Sequence, residues 1–388
     1  MPSKHPSRRK FVTASSLFAV LGFTGCGAAQ TRQTSQTPRL RLIGETRLPH
    51  KLQFQGTTVG GLSGIDFDPV SGLYYLISDD RSSINPARFY TARIPVSADK
   101  LGDIELLGVT TLRQADGSAY PANLLGRQVP DPEAIRWHAP SKTLLWTSEG
   151  NAITLAQPAL RQIKPDGTHL RDFALPAMFD FGLLDMAKNQ GPRINKTLEG
   201  LAITPDGRHA WIAMEAALRQ DGPEPTPQDP GGPCRFTQID ITSGQALRQI
   251  AYMPDAIPRA PIPPSADADN GVAEVLMLDA HRMLVLERAY MAGYGPDNST
   301  SLRLYLVDTR DGSDTLNLPA LQSGNYNAAS KTLVADFSNF PGLTRLDNTE
   351  GMAWGPALTN GNRTLVFVSD DNFNPRQITQ FLAFEFLE

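Results

Sequence analysis

Apolar positions in this chain fall in short runs bounded by turn residues, and no segment sustains the heptad spacing of a long amphipathic helix. The clearest pair of runs is Thr197–Leu218, TLEGLAITPDGRHAWIAMEAAL. It reads as a short strand opened by an acid, a Pro-Asp-Gly turn, and a second strand closed by another acid. Four other stretches repeat the plan: GLSGIDFDPVSGLYYLISDDR from Gly61, DPEAIRWHAPSKTLLWTSEG from Asp131, GVAEVLMLDAHRMLVLERAY from Gly271 and NTEGMAWGPALTNGNRTLVFVSDDN from Asn348. The copies lie about seventy residues apart, the mark of a repeat architecture.

Further alternating runs follow each hairpin and bring every unit to about four strands, the size of a propeller blade. The first unit adds strands over 88–94 and 104–112 to its hairpin, the second over 159–163 and 169–175, the third over 236–241 and 246–252. The fourth adds 302–307, its outer strand being unassigned within 311–339. The fifth hairpin is followed by one strand only, 380–387, and the lone strand 39–49 is expected to complete it, which closes the ring and removes a sheet edge. The expectation is an all-β propeller of five four-stranded blades, with a sixth left open by residues 311–339 or 178–197. Segments 221–233 and 258–264 are too rich in Pro and Gly for strands and read as surface excursions, while 176–197 reads as an insertion with a short helix over one rim.

In an antiparallel hairpin the start of the first strand and the end of the second lie side by side. The residues there are Ser63 with Asp79, Glu133 with Glu149, Glu199 with Glu215, Glu274 with Glu287, and Glu350 with Asp370. If these hairpins are the inner pairs of their blades, nine carboxylates converge on one channel mouth, with Asp80 and Asp371 beside them. Two like charges ~5 Å apart repel by about 3 kcal/mol at an effective dielectric near 20. Such a ring needs protons, cationic neighbours or metal, and Arg81, Arg288, Lys196 and Arg376 are near in sequence. Oxygen-only ligands suit a hard cation, Ca²⁺ before Zn²⁺, and two such ions could polarise a phosphoryl group. The alternative is structural, each Glu accepting backbone N–H bonds from the neighbouring blade and locking the two together.

Other chemistries find no support. Ser63 lacks the glycine placement of a nucleophile elbow, no His pair has metal-ligand spacing, and no glycine-rich loop leads from a strand into a helix. A net charge of −4 over 388 residues, with no basic block, excludes the footprint of a nucleic-acid binder, while 31 Pro and 32 Gly suit many short strands and turns. Residues 1–25 read as an export signal: Lys4, Arg8, Arg9 and Lys10 precede an apolar run from Phe11 too short to span a bilayer, and Ser7-Arg8-Arg9-Lys10-Phe11-Val12 resembles a twin-arginine signal. Phe23-Thr24-Gly25-Cys26 looks like a lipobox with Cys26 as lipid anchor, the other reading being ordinary cleavage just past it. Residues 26–38 would then be a tether and 39–388 the propeller, a monomer in the periplasm or cell envelope. With Cys26 acylated or removed, Cys234 has no disulfide partner and reads as structural.

The acidic hairpins, especially Thr197-Leu198-Glu199-Gly200-Leu201-Ala202, Asn348-Thr349-Glu350-Gly351-Met352-Ala353 and Ser78-Asp79-Asp80-Arg81, resemble the phytase-like domain family known as "esterase-like activity of phytase". The resemblance runs from about Gly61 to the C-terminus. It implies a β-propeller-like domain of exported bacterial proteins, also found beside phosphatase or phosphodiesterase modules, with acidic positions at Glu133, Glu199, Glu274, Glu350 and Asp370 and a departure at Ser63. The leading expectation is a Ca²⁺-dependent hydrolase of small phosphoesters, with Glu199, Glu350 and Asp370 as ligands or as the group activating water, and Glu149 as a further ligand. Alternatives are a non-catalytic binding propeller and a Ca²⁺-dependent lactonase-type hydrolase.

Overall fold

The computed structural model describes residues 37–121, 130–182 and 187–388. The export signal, Cys26 and most of the tether lie outside the described residues, as does part of the 176–197 insertion.

The chain enters on β1 (Arg39–Leu48) and a small hairpin of β2 (Gln53–Phe54) and β3 (Thr57–Thr58). Blade 1 is β4 (Leu62–Asp68), β5 (Leu73–Ser78), β6 (Arg88–Arg93) and β7 (Glu105–Thr111). Blade 2 is β8 (Pro132–His138), β9 (Thr143–Ser148), β10 (Ala159–Ile163) and β11 (His169–Asp172). Blade 3 is β12 (Leu198–Ile203), β13 (His209–Met214), β14 (Cys234–Asp240) and β15 (Ala246–Tyr252). Blade 4 is β16 (Ala268–Met277), β17 (Arg282–Met291), β18 (Thr300–Asp308) and β19 (Lys331–Asp336). Blade 5 is β20 (Thr349–Trp354), β21 (Arg363–Ser369) and β22 (Thr379–Leu387), completed on its outside by β1. The protein is a five-bladed, all-β propeller, and the five acidic hairpins are its inner pairs. Strand β4 packs beside β8, β8 beside β12, β12 beside β16, β16 beside β20, and β20 again beside β4.

The terminal strand closes the ring as the sequence predicts. Arg39 pairs with Leu387 and Leu48 with Thr379 across an antiparallel ladder, and the Arg41 Nε–Glu385 Oε2 ion pair of 2.6 Å ties its outer face. The unassigned outer strand of blade 4 is β19, short and half-exposed, which is why its alternation is weak in the sequence. No sixth blade occurs among the described residues; 311–339 holds β19 and a 3₁₀ turn, Phe337–Asn339, and the insertion holds another at Ala177–Phe179.

Successive side chains of a strand point to opposite faces, and an inner strand is covered on both, so it reads as a near-continuous apolar run. In β5, Tyr74 and Leu76 pack towards blade 5 with Val366, Val368 and Phe381, whereas Tyr75 and Ile77 pack towards blade 2 with Ile135 and Trp146. The same division recurs around the ring, so the core is five apolar seams, one between each pair of neighbouring blades.

Near the axis the blades approach backbone to backbone. A Cβ on Gly64 would lie 2.5 Å from the Glu133 carbonyl oxygen, and one on Gly351 would lie 3.1 Å from the Ile65 nitrogen. The channel is closed at this level by Arg136. Its Nη1 donates to the carbonyls of Ile65 (2.5 Å) and Ile135 (3.0 Å), and its Nη2 to those of Val275 and Met352 (both 3.1 Å). One buried guanidinium thus joins blades 1, 2, 4 and 5, and the space above it is a blind cup.

Candidate functional site

Each inner hairpin carries the same irregularity where its first strand begins. The ladder slips between Leu62 and Gly64, Pro132 and Ile135, Leu198 and Gly200, Val272 and Glu274, and Thr349 and Gly351. Such a bulge leaves a residue unpaired and re-aims its side chain. The bulged residues are Ser63, Glu133 (with Ala134), Glu199, Ala273 and Glu350. The second strands end opposite them at Asp79, Glu149, Glu215 and Asp370, whose N–H groups bond to the carbonyls of Gly61, Asp131, Thr197 and Asn348. In blade 4 the residue at that place, paired with Gly271, is Arg288.

Blade 4 is therefore one residue out of step with the spacing of its acids, and a one-residue slip sends a side chain to the other face. Glu274 occupies the position held by Gly64, Ala134, Gly200 and Gly351 in the other blades. It faces the axis, where Oε2 lies 2.7 Å from Arg136 Nη2 and Oε1 accepts from the Leu201 and Val275 N–H groups. This is the structural lock between blades. Glu287 stands in the seam between blades 3 and 4, accepting from Tyr252 Oη (2.5 Å), Lys331 Nζ (2.6 Å), Asn270 Nδ2 (2.9 Å) and the Asp255 N–H (2.9 Å). Neither acid reaches the cup, and Ala273 and Arg288 are the blade 4 counterparts of Glu199 and Glu215. The sequence holds the clue: every other bulged residue is followed by Gly or Ala, while Glu274 is preceded by Ala273 and followed by Val275.

The remaining seven acids come together, and Asp131, which the spacing of strand ends does not single out, joins them. The cup has a volume of about 900 Å³, with Asp79, Glu133, Glu199, Glu215, Glu350 and Asp370 in its wall. Asp131 and Glu149 extend this wall: one oxygen each from Asp131, Glu133 and Glu149 lie within 4.8 Å of one another, and so do one each from Glu149, Glu199 and Glu215. Arg81 Nε pairs with Asp131 Oδ1 at 2.6 Å, and Arg288 Nη2 reaches Glu215 Oε1 at 3.3 Å and Glu350 Oε1 at 3.5 Å. Lys196 is engaged by Asp269 (2.7 Å) and Glu224 (2.8 Å), and Arg376 lies in the outer wall.

Eight carboxylates thus face two guanidinium groups that touch them, and their titration shows the strain. Burial, with Glu350 and Asp80 adding, pushes Asp79 up to about 8. Burial and the charge of Asp131 push Glu149 to about 8, and burial takes Glu215 to about 8 although Arg288 opposes it. Asp131 rises to about 7 even beside Arg81. Burial raises Glu133, Glu199 and Asp370 well above the ordinary range, helped most by Glu199, Glu149 and Asp79 respectively. Burial works against the charge of Arg288, yet Glu350 and Glu215 outweigh it and push its pKa up.

Two atoms stand out. Oε1 of Glu149 accepts from the Thr197 N–H, but its Oε2 has no hydrogen-bond partner, and neither has Oε2 of Glu199. Both side chains are buried, and an unmatched buried carboxylate oxygen is expensive. By contrast the neighbouring acids are spent on structure. Asp80 is paired with Arg88 at 2.7 Å and takes the N–H groups of Ser83, Ile84 and Asn85, while Asp371 takes those of Gly61 and Phe373. Cys234 is buried with Sγ 3.1 Å from the Glu215 carbonyl, and burial pushes its thiol well up, away from the thiolate a nucleophile needs.

The family model "Phytase-like: Esterase-like activity of phytase" matches residues 57–373. No curated protein matches the chain. Among solved structures, the chain is similar to an α-L-arabinofuranosidase from Lactobacillus brevis (10% identity, 84% of this chain and 90% of that one, TM-score 0.45). It is also similar to the periplasmic gluconolactonase PpgL of Pseudomonas aeruginosa (12%, 86% and 90%, TM-score 0.35) and to the Cps50 (Swd1) β-propeller domain of Myceliophteria thermophila (9%, 89% and 99%, TM-score 0.37). None of these three likenesses bears on the chemistry.

Proposed function

The chain belongs to the phytase-like family, and from that premise we propose that it is a Ca²⁺-dependent hydrolase of small phosphoesters, acting as a monomer at the acidic cup. The observation that carries the reading is the buried triad Glu149, Glu199 and Glu215 with two carboxylate oxygens left unmatched. The donor set is oxygen only, which suits a hard cation that takes six to eight such ligands and not one that prefers nitrogen and sulfur. A bound cation there would supply positive charge to a phosphoryl oxygen.

The chain's own residues supply the rest. Arg288 is held by Asn348 Oδ1 (2.5 Å), Glu215 and Glu350, and it brings a fixed positive charge to the wall for an anionic group. Asn348 Nδ2 reaches both Glu350 Oε1 (2.9 Å) and Asp370 Oδ2 (3.3 Å) and orients that pair. Burial and the charge of Asp79 raise the proton affinity of Asp370, and burial and the charge of Glu350 raise that of Asp79. These groups therefore hold protons near neutral pH and can give one to a leaving group or, once deprotonated, take one from water. Ser299 lines the cup, but its hydroxyl donates to the Gly295 carbonyl (2.7 Å) and not to a base, which favours attack by water.

The test is phosphate release by the purified protein from phytate and from model diesters, from acidic to alkaline pH, with Ca²⁺ and with chelator. Release that depends on Ca²⁺ and is lost in Glu199→Gln is expected; no release under any condition overturns the reading. Export by the twin-arginine signal and anchoring to the cell envelope through Cys26 are part of the proposal. Mass analysis of the protein from a membrane fraction is expected to find a lipid on an N-terminal Cys26.

A further inference from the structure

We propose that the acidic wall of the cup holds two divalent cations which share Glu149. The proposal rests on the reading that the cup takes cations, and is independent of whether it hydrolyses anything. Two triads of buried carboxylates, Asp131–Glu133–Glu149 and Glu149–Glu199–Glu215, each bring three ligand oxygens within 4.8 Å, and Glu149 belongs to both. The unmatched Oε2 atoms of Glu149 and Glu199 are the second, independent sign of a ligand, since both residues are more than nine-tenths buried.

Charge sets the number. Eight carboxylates less two touching guanidinium groups leaves six negative charges. One divalent cation would leave four of them crowded in a buried space, whereas two leave two. The positions also divide sensibly. Arg81 Nε engages only Oδ1 of Asp131, so its other oxygen can still serve the first triad. Arg288 engages one oxygen of Glu215, at 3.3 Å, and leaves the second triad the other. Glu133 makes no side-chain hydrogen bond among the described residues, as befits a group kept for a ligand. Ser63 and Ala273 show why the pair sits on this side of the ring. Blades 1 and 4 offer no acid at the bulge, so the acids of blades 2 and 3 form one continuous arc with Glu149 in its middle.

The experiment is a calorimetric titration of the full chain with Ca²⁺, matched by Tb³⁺ luminescence, for the wild type and for Glu133→Gln, Glu215→Gln and Glu149→Gln. Two ions per wild-type chain are expected, with one retained in each of Glu133→Gln and Glu215→Gln, and both weakened at least tenfold in Glu149→Gln. A single ion in the wild type overturns the proposal even if every variant misfolds, and so does loss of the same ion in Glu133→Gln and Glu215→Gln. Phosphate release is followed in the same samples. Two ions without release would sink the hydrolase reading and leave this centre standing, whereas release with one ion would do the reverse.

Discussion

Arg136 Nη2 and Glu274 Oε2 meet at 2.7 Å on the propeller axis, each side chain no more than 2% exposed. The pair closes the channel beneath the cup: the arginine gathers carbonyls from four blades and the glutamate takes the Leu201 N–H from the fifth. All five blades are thereby tied at one level. Removing one partner of a buried pair typically costs roughly 3–5 kcal/mol, because the other charge is left uncompensated. Arg136→Met is expected to destabilise by that amount in chemical unfolding, and Arg136→Met with Glu274→Met to recover part of the loss. A single variant as stable as the wild type would show that the plug is dispensable.

Stability is also expected to depend on pH in an unusual direction. Asp79, Glu149 and Glu215 titrate near 8 in the fold through burial, against an ordinary carboxylate value near 4. Between those values the folded chain binds more protons than the unfolded one, so without metal its stability falls as pH rises from about 4 to about 8. Cations replace those protons, so the stabilisation by Ca²⁺ should grow over the same range. Melting temperatures in chelator and in Ca²⁺, measured across that window, check both slopes; parallel curves would mean the acids are neutralised without metal.

The architecture is legible in the sequence because it is dictated locally. Apolar runs between turn residues define each inner hairpin, and the surplus strand Arg39–Leu48 has only one missing partner to fill. Strand Lys331–Asp336 is harder to read, since an outer strand buries little and needs no strong alternation. The cup is legible in blades 2, 3 and 5 and misleading in blade 4. Counting acids aligns Glu274 with Glu199, but the bulge absorbs one residue and pairs Glu274 with Leu286, so Ala273 takes the rim and Glu274 the axis. Asp131 is hidden for another reason: it precedes its strand, and only the closeness of Glu133 and Glu149 in space makes it a neighbour.

Arg288 is the one place where blade 4 turns the rim from negative to positive. Arg288→Met removes a charged donor from the wall, and a hydrogen bond to a charged group contributes about 1.5–3 kcal/mol, or roughly tenfold or more in affinity. Inorganic phosphate, as a competing ligand, is expected to bind that much more weakly, while Ca²⁺ binds as well as before or better because a cation has left. Unchanged phosphate inhibition would assign Arg288 to charge balance alone.

Glu199 distinguishes a ligand from a lock. Its N–H is turned to the Thr197 carbonyl (3.2 Å), but its carboxylate has an unmatched oxygen and a pKa driven well up by burial and Glu149. Glu199→Gln keeps the shape and removes one of the crowded charges, so in chelator the protein should melt at the same temperature or higher. A ligand present at a hundredfold excess over its Kd stabilises by about 2.7 kcal/mol. The wild type should show a gain of this size with Ca²⁺ and the variant much less of it, with phosphate release falling in parallel. A variant that instead melts earlier in chelator, yet keeps its full response to Ca²⁺, would make Glu199 a structural lock like Glu274.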